Sequence, residues 1–420
     1  MQKILLFIAS LFYFNSLFAK DEIKSWQGIH ETPLSRLEQQ FADPPVEFAN
    51  HVIWGWEGKM DKKTICNDLD SIKKKGFRAI IFEAGYKLPF KYLSEEWFKA
   101  IRTGVLEAKK RGMKVWIIDE GKYPSGFAGG KFSQERPDLR MQALVIGDTI
   151  QIKRGEVMTN HKIAPEIISA VAVSTSGAPN RTVAINNGEI SFNAGLDDWK
   201  ILLVKSDFRT AVTRAVNNPN GGKDATNSLC DYLNPVAVQQ FIDWTHEQYK
   251  KYLGKELGTT VLGFRGDEPD YAHLPWTPSI VQTFKDTKGY DPTPYLASFF
   301  TTSPTIQEQR VKADYWDVWS SLFATHFFKL QADWCAANGV AHITHLNKEH
   351  EMPACVKAEG DYFRNLSKVQ IPGVDAIWNQ IWPGTLNDFP KLASSVAHVY
   401  GKPRAFSESF AAYHISPTIP

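Results

Sequence analysis

Two apolar stretches of this 420-residue chain each end on a glutamate. Residues 259–268 read Thr-Thr-Val-Leu-Gly-Phe-Arg-Gly-Asp-Glu, and residues 403–408 read Pro-Arg-Ala-Phe-Ser-Glu. If both stretches are parallel strands of one barrel, Glu268 and Glu408 lie at the carboxyl-end mouth, where such barrels carry their active sites. Two facing carboxyl groups can cleave a glycosidic bond, one as acid and the other as base or nucleophile. The two glutamates are therefore candidate catalytic residues.

The elements that must position these glutamates follow a repeating pattern. Short apolar runs indicate seven strands, at 51–56, 77–83, 113–119, 261–267, 340–345, 374–378 and 403–408. Helical patterns fall between them, at 62–75, from Ser94 to about Gly112, and at 235–253, 278–288, 306–338 and 388–400. Because short buried strands alternate with amphipathic helices, the sequence predicts βαβ units and a parallel sheet of the α/β class.

The ends of these strands decide between two parallel architectures. Nearly every strand ends on a polar or aromatic residue, which favours a TIM-type (β/α)8 barrel over a doubly wound sheet that uses mainly the ends beside its switch point. Glu268 would close the fourth strand and Glu408 the seventh, roughly across the mouth. Only twelve residues follow Glu408, too few for another helix and strand. We therefore predict an incomplete barrel with seven encoded strands.

A different pattern interrupts the alternation after the third strand. Residues 167–173 and 182–185 read as antiparallel strands, and the pair Asn187-Gly188 is typical of a hairpin turn. This pattern predicts a small antiparallel β module inserted into the barrel. The predicted organisation is a signal peptide at 1–19, a lead-in segment at 20–47, the first part of the barrel at 48–141, the inserted module at 142–210 and the second part of the barrel at 211–420.

The remaining strand-end residues are candidates for binding a sugar. Asp267 should point away from Glu268 by strand alternation, and it could bind a sugar hydroxyl or pair with Arg265. Tryptophan faces stack on sugars, although core packing is the competing explanation for each one. The candidate substrate-binding residues are Trp54, Trp56, Glu83, Asp119, Glu120, Tyr123, Asp267, His345, Asn347 and Asn379.

The amino terminus predicts export. Lys3 precedes an apolar run from Ile4 to Phe14 that is too short to span a bilayer comfortably, and Ala19 offers a small residue for cleavage. These features are those of a secretory signal peptide. No later stretch is long and apolar enough to cross a membrane. We therefore expect a periplasmic or secreted protein without a membrane span.

Composition and motifs exclude several other classes. The net charge is only +2, so the sequence gives no support for a nucleic-acid partner. Neither Gly-x-Gly-x-x-Gly after the first strand nor Gly-x-x-x-x-Gly-Lys occurs, so no nucleotide cofactor is expected. The four cysteines, Cys66, Cys230, Cys335 and Cys355, show no metal spacing, and both free thiols and incidental disulfides remain open.

Metal chemistry has only limited support in the sequence. His342 and His345 fall on opposite faces of a strand, so they cannot chelate one ion together without a bulge. A zinc hydrolase is therefore a weak alternative. Ca²⁺ bound by carboxylates near the mouth stays open, because its ligands follow no fixed spacing.

Several motifs resemble glycoside hydrolase family 106, the α-L-rhamnosidases. They are residues 119–130 (Asp-Glu-Gly-Lys-Tyr-Pro-Ser-Gly-Phe-Ala-Gly-Gly), Asp267-Glu-Pro with Trp276-Thr-Pro and 288–291 downstream, and 391–398 leading into 402–408. The resemblance spans about residues 45–412. It implies an (α/β)8 catalytic domain, inverting hydrolysis of terminal α-L-rhamnose on plant-type oligosaccharides or polysaccharides, and a site assisted by Ca²⁺. It also implies that Glu268 is the acid and Glu408 the base.

The leading hypothesis is therefore an exported glycoside hydrolase in which Glu268 protonates the leaving oxygen and Glu408 activates water. This division requires Glu268 to occupy the drier position and Glu408 to stay ionised. Two alternatives remain open. One is a retaining barrel glycosidase with its acid on the fourth strand and its nucleophile on the seventh, and the other is a non-catalytic carbohydrate-binding relic.

Overall fold

The computed structural model describes residues 33–46, 50–214, 216, 223–224, 226–271, 273–377, 384 and 387–409. Its strands in chain order are β1 (His51–Trp56), β2 (Ala79–Ala84), β3 (Lys114–Ile118), β4 (Gln142–Ile152), β5 (Val157–Lys162), β6 (Ile167–Ser174), β7 (Arg181–Thr182), β8 (Ile185–Asn186), β9 (Glu189–Asn193), β10 (Trp199–Phe208), β11 (Thr213–Arg214), β12 (Lys223–Asp224), β13 (Val261–Asp267), β14 (Pro275–Trp276), β15 (Ala341–His345), β16 (Ile371–Ala376) and β17 (Phe406–Ser409).

The helices lie between these strands. They are α1 (Leu34–Ala42), α2 (Lys62–Lys74), α3 (Glu95–Lys110), α4 (Lys131–Glu135), α5 (Pro235–Trp244), α6 (His246–Leu253), α7 (Ile280–Lys288), α8 (Ile306–Phe323), α9 (Lys329–Ala337), α10 (Met352–Glu359), α11 (Tyr362–Leu366) and α12 (Leu392–Val399). Within the described part of the chain, no helix combines the length and the apolar character that crossing a membrane requires.

A seven-stranded parallel sheet organises the molecule. Its strands pair in the order β1-β2-β3-β13-β15-β16-β17, which confirms the predicted seven-strand α/β architecture. The register is regular at the first edge, where His51 to Trp56 pair with Ala79 to Ala84. The sixth strand begins at Ile371, three residues earlier than its apolar pattern predicted. The sheet is the incomplete (β/α) barrel that the strand ends predicted.

Strand alternation divides the side chains of this sheet into two layers. The inner layer is apolar, and it contains Ile81, Trp116, Ile118, Leu262, Ala341, Ile343 and Ile371, with Ile53 and Phe406 packed against it. The opposite layer includes Trp56, Phe82 and Phe264 and packs against α2, α3 and α6, with Trp97 of α3 against Trp56. Because both faces of the sheet are covered, its strands read as continuous apolar runs.

The stretch after β3 forms antiparallel sheets. One has the order β14-β4-β10-β6-β7, and another has the order β5-β9-β8. Asn187 and Gly188 both have positive φ, 52° and 77°, as a two-residue hairpin turn requires. Strand β14, which follows the fourth barrel strand, pairs with β4, so the five-stranded sheet is joined to the segment beyond β13.

Side chains cap the first two barrel helices, whereas two of the long predicted helices are interrupted. Asp61 accepts a hydrogen bond from the Thr64 N–H, and Ser94 accepts one from the Trp97 N–H. The pattern at 235–253 breaks at Thr245, which has φ −114° and ψ −83°. The pattern at 306–338 contains a π-helical turn at 324–328. The apolar periodicity of the sequence continues across both interruptions. Periodicity alone therefore could not predict either interruption.

Candidate active site

A ring of polar side chains lies directly beyond the apolar inner layer. Side chains two residues apart on a strand share a face, so the polar residue that follows each inward apolar position also points inward. On β2 and β17 this step leads from Ile81 to Glu83 and from Phe406 to Glu408. On β15 it leads from Ile343 to His345. The inner face of the sheet thus changes from apolar to charged at its carboxyl end.

Glu408 lies against two cationic groups. Its Oε2 accepts a hydrogen bond from Nη2 of the buried Arg265, and it lies 2.9 Å from Nε2 of His345. Burial alone would raise the pKa of Glu408, but the Arg265 guanidinium and His345 hold that pKa below its usual range. Glu408 is therefore a carboxylate that stays ionised in a largely buried site.

Glu268 has the opposite environment. Burial raises its pKa well above the usual range, and the neighbouring carboxyl groups of Asp267 and Asp375 add to the effect. A hydrogen bond between the Glu268 and Asp375 side chains raises the pKa of Glu268 and lowers that of Asp375. The pKa values of Glu268 and Glu408 are therefore shifted in opposite directions.

The backbone explains how Glu268 reaches the mouth at all. Asp267 is the last residue of β13, and alternation would turn the next side chain away from it. Glu268 instead has φ 40°, a left-handed conformation that is uncommon outside glycine. With this turn, a carboxylate oxygen of Glu268 lies within 4.8 Å of ligand atoms of His345 and Asp375. Both residues of the pair therefore point into one site.

His345 lies between the two glutamates. Its Nε2 lies 3.3 Å from Asp267 Oδ1, and Arg265 Nη2 lies 2.8 Å from the same nitrogen. Burial disfavours a charged imidazole, but hydrogen bonds with Asp267 and Glu408 raise the pKa of His345 well above its usual value. The two carboxylates thus hold two cationic groups together. Asp267 also lies 3.7 Å from Arg265, the ion pair that the sequence left open as the alternative to binding a sugar hydroxyl.

The loop after β3 forms one wall of the mouth. Asp119 is fully buried and accepts a hydrogen bond of 2.6 Å from the Ser125 hydroxyl, and burial raises its pKa to about 7. The Ser125 N–H donates to the Asp267 carbonyl at 2.8 Å, and the Asp267 N–H donates to Ser125 Oγ at 2.7 Å. Glu120 accepts hydrogen bonds from the backbone N–H groups of Gly121, Phe127, Ala128 and Gly129. Asp119 therefore faces β13, whereas Glu120 holds the glycine-rich loop in shape.

Tyr123 and Asn347 connect this loop with the loop after β15. Asn347 Nδ2 donates to the Tyr123 hydroxyl at 3.1 Å and to Asp270 Oδ2 at 3.4 Å, and the Asn347 N–H donates to Glu359 Oε1 at 2.9 Å. Burial raises the pKa of both Asp270 and Glu359. Asp270 Oδ1 and Glu359 Oε2 are buried and accept no hydrogen bond from the residues that the structure describes. A buried pair of carboxylates with free oxygens suits a hard cation.

The structure brings some of the sequence-predicted residues together and separates others. Glu83 lies at the rim, 3.0 Å from Lys122 Nζ. The prediction that Trp54 and Trp56 bind substrate at the mouth is wrong. Both side chains pack with Phe82 in the helix-facing layer and do not enter the mouth. Their side chains lie one position out of phase with Ile53 on β1, so the pleat places them on the other face. Asn379 lies outside the described residues.

Sequence reasoning did not select several residues of this site. Asp375 lies inside the β16 apolar run and pairs in register with Glu408 of β17. Strand alternation places it on the inward face, and this signal could have identified it. The sequence suggested Arg265 only as a partner for Asp267, yet in the structure Arg265 contacts Glu408, which lies 143 residues away. Asp270 and Glu359 carried no usable signal, because their proximity depends on how two loops meet.

A curled parallel sheet with carboxyl groups paired at the carboxyl ends of its strands is the architecture of barrel glycoside hydrolases. A model of the alpha-L-rhamnosidase family, glycoside hydrolase family 106, matches residues 157–418, more than half of the chain. The chain belongs to this family.

Similar proteins include a sequence relative and a solved structure. A protein of Formosa agariphila named "Putative beta-glucuronidase" is 24% identical over 435 residues, which cover 90% of this chain and 35% of that protein. The structure of a rhamnosidase from Novosphingobium sp. PP1Y matches with a TM-score of 0.66 and 16% identity over 92% of this chain and 54% of that one. The second likeness establishes the fold. The chain spans about a third and about half of the lengths of these two proteins.

Proposed function

We propose that this chain carries the catalytic site of an α-L-rhamnosidase that removes terminal α-L-rhamnose, or a related sugar, by acid and base catalysis. The observation that carries the proposal is the contrast between two glutamates that both lie beside His345. Glu408 contacts the Arg265 guanidinium, whereas Glu268 contacts the Asp375 carboxyl group. The pKa of Glu408 is thus lowered and that of Glu268 raised, which favours the division of labour that glycoside hydrolysis requires.

In the proposed reaction, Glu268 gives its proton to the glycosidic oxygen as the bond from that oxygen to the anomeric carbon breaks. Glu408 takes a proton from a water molecule whose oxygen bonds to the anomeric carbon. The products are the free sugar and the alcohol, and proton exchange with solvent restores both carboxyl groups. Arg265 and His345 hold the Glu408 carboxylate in place, and Asp375 orients the Glu268 proton.

The test measures activity and stereochemistry on aryl α-L-rhamnosides. We expect the Glu268→Gln and Glu408→Gln variants to lose about 10²–10⁴-fold in kcat, the usual contribution of a positioned acid or base. Proton NMR of the first anomer released should show inversion of configuration. Release of the retained anomer would instead identify Glu408 as a nucleophile. A wild-type protein that binds rhamnosides without cleaving them would overturn the enzyme proposal.

The substrate class needs its own control, because one relative carries the name of a glucuronidase. An aryl β-glucuronide should be cleaved far more slowly than the rhamnoside if the family description applies to this chain. Plant-type oligosaccharides with terminal rhamnose are the proposed natural substrates. Faster cleavage of the glucuronide would reassign the sugar while leaving the roles of Glu268 and Glu408 intact.

We also propose that Ca²⁺ assists this site, with Asp270 and Glu359 as the residues that would hold it. Their buried free oxygens match the oxygen ligands that Ca²⁺ prefers. The ion would supply positive charge for binding sugar hydroxyl groups. Chelation should raise KM, and added Ca²⁺ should restore it, whereas Asp270→Asn with Glu359→Gln should abolish calorimetric Ca²⁺ binding. Unchanged Ca²⁺ binding by that double variant would exclude these two residues.

Export remains a proposal that follows from the amino-terminal sequence. Mass spectrometry of the protein recovered from the periplasm or medium should show a chain beginning at Lys20. Recovery of the uncleaved chain from the cytoplasm would overturn this proposal.

A further inference from the structure

A second cluster of ligating side chains lies on the helix-facing side of the parallel sheet. His342 projects from β15, His246 begins α6 and Cys335 lies on α9. One ring nitrogen of each histidine and the Cys335 Sγ lie within 4.8 Å of one another, and all three side chains are buried. The cluster lies across the sheet from the mouth, because His342 and the inward His345 fall on opposite faces of β15.

We propose that His246, Cys335 and His342 form a buried binding site for a thiophilic d¹⁰ metal ion, Cu⁺ or Zn²⁺. Two imidazoles and one thiolate are ligands that both ions accept. This inference does not depend on the proposed hydrolase activity, because none of the three residues belongs to the candidate active site.

The first argument is the tautomer of His246. Thr245 Oγ1 donates its single proton to the Phe241 carbonyl at 2.7 Å, so at 2.9 Å from His246 Nδ1 it can only accept. The His246 ring proton therefore lies on Nδ1, and Nε2 keeps its lone pair. Nε2 is buried and has no hydrogen-bond partner in the described part of the chain. A hydrogen bond at the far nitrogen is the usual way in which a protein orients a metal-binding histidine.

The second argument is the unsatisfied state of His342. Both of its ring nitrogens are buried and lack a hydrogen-bond partner among the described residues. Such groups normally find a partner, because an unpaired buried polar group costs about 1–3 kcal/mol. A metal ion bound at one of these nitrogens would supply the missing partner.

The surroundings favour a monovalent soft ion. The His246 ring packs against Phe264 and Trp334, with ring centroids 4.3 and 5.2 Å away. The Cys335 thiol would release its proton to the solvent as the metal–sulfur bond forms. One thiolate neutralises Cu⁺, whereas Zn²⁺ would leave a net positive charge in an apolar layer and favours a fourth ligand. We therefore expect Cu⁺ to bind more tightly than Zn²⁺.

The test begins with the metal content of the full chain produced with copper or zinc in the medium. Elemental analysis should find about one ion per chain, as for a structural site. The matched controls are Cys230→Ala and Cys355→Ala, which remove other buried free thiols. These controls should keep the ion, and Cys335→Ala should lose it. Absence of both metals from the wild type, or full retention by Cys335→Ala, would overturn the proposal.

X-ray absorption spectroscopy of the metal-loaded wild type keeps the test informative if Cys335→Ala does not fold. The spectrum should show one sulfur and two imidazole nitrogens bound to the metal. A shell of oxygen atoms alone would place the ion elsewhere and contradict the assignment.

Discussion

The two faces of the parallel sheet impose opposite chemistry on two histidines of one strand. His342 and His345 are both buried on β15, yet burial lowers the pKa of His342 to about 3, whereas hydrogen bonds with Asp267 and Glu408 overcome burial and raise the pKa of His345. Burial alone therefore does not determine charge. The partners that other strands place beside each ring determine it.

The same division separates the residues that should control rate from those that should control stability. At the mouth, Glu268, Glu408 and His345 are largely buried, and charged or carboxyl groups of other strands lie beside each of them. On the helix-facing side, Trp54 and Trp56 pack with Phe82 in an apolar layer. Variants of the two faces should consequently differ in which property they change.

The largest expected effect is that of Glu268→Gln at the mouth. On a rhamnoside with a poor alcohol leaving group, we expect kcat to fall by about 10³-fold or more, because glutamine cannot protonate the leaving oxygen. The loss should shrink for an activated aryl leaving group that departs without protonation. Thermal unfolding should change little, because glutamine resembles the protonated glutamate in shape and charge. Equal losses with both leaving groups would contradict the assignment of Glu268 as the acid.

On the helix-facing side, Trp56→Ala should act on stability. Trp56 is fully buried, and truncating such a side chain typically lowers the free energy of unfolding by about 3–5 kcal/mol. Denaturant unfolding measures this loss, and the KM of the remaining folded protein should stay unchanged. Trp56→Phe is the matched control and should recover most of the stability. A raised KM with normal stability would return Trp56 to the list of sugar-binding residues.

Arg265→Gln should shift the pH dependence of activity. The pKa of Glu408 is lowered in the folded protein, so Glu408 stays ionised to lower pH than an ordinary glutamate, and activity falls only as pH drops through that lowered pKa. Removing Arg265 should raise this pKa, so the acidic limb of kcat/KM should move up by about 1–3 pH units. Lys122→Gln removes another cation of the rim and is the control. An unmoved limb in Arg265→Gln would disprove that Arg265 tunes Glu408.

The smallest effect should come from Glu83→Gln at the rim. Glu83 is largely buried but paired with Lys122 at 3.0 Å, and it lies on the inward side of β2. If it binds a sugar hydroxyl, KM should rise by about tenfold while kcat changes little, since a hydrogen bond to a charged group contributes about 1.5–3 kcal/mol. Glu95→Gln, at an exposed ion pair on α3, is the control. Equal KM values in both variants would remove Glu83 from the substrate-binding set.

Much of the architecture could be predicted from local patterns. The strand patterns at 51–56 and 261–267 coincide with β1 and β13, and the helix predicted to start at Ser94 has that residue as its N-cap. These features depend on alternation and on side chains within a few residues of the backbone groups that they satisfy. Periodicity did not predict the interruption of the helix at Thr245, because the apolar face continues on both sides of that residue.

The candidate site was predicted only in part. Strand ends led to Glu268, Glu408, His345 and Asp267, because a parallel sheet brings the carboxyl ends of its strands to one edge. The same rule wrongly included Trp54 and Trp56, since a strand end does not specify a face. Alternation also predicted that Asp267 points away from Glu268, whereas the positive φ of Glu268 brings both carboxyl groups beside His345.

The sequence by itself determined the alternating elements, the family motifs and the presence of two glutamates at strand ends. The tertiary structure decided their chemistry, because protonation depends on charges that folding brings close from distant positions. Glu408 meets Arg265 across 143 residues, and Glu268 meets Asp375 on another strand. Local pattern specifies which groups reach the mouth, but only packing specifies which charge each group faces.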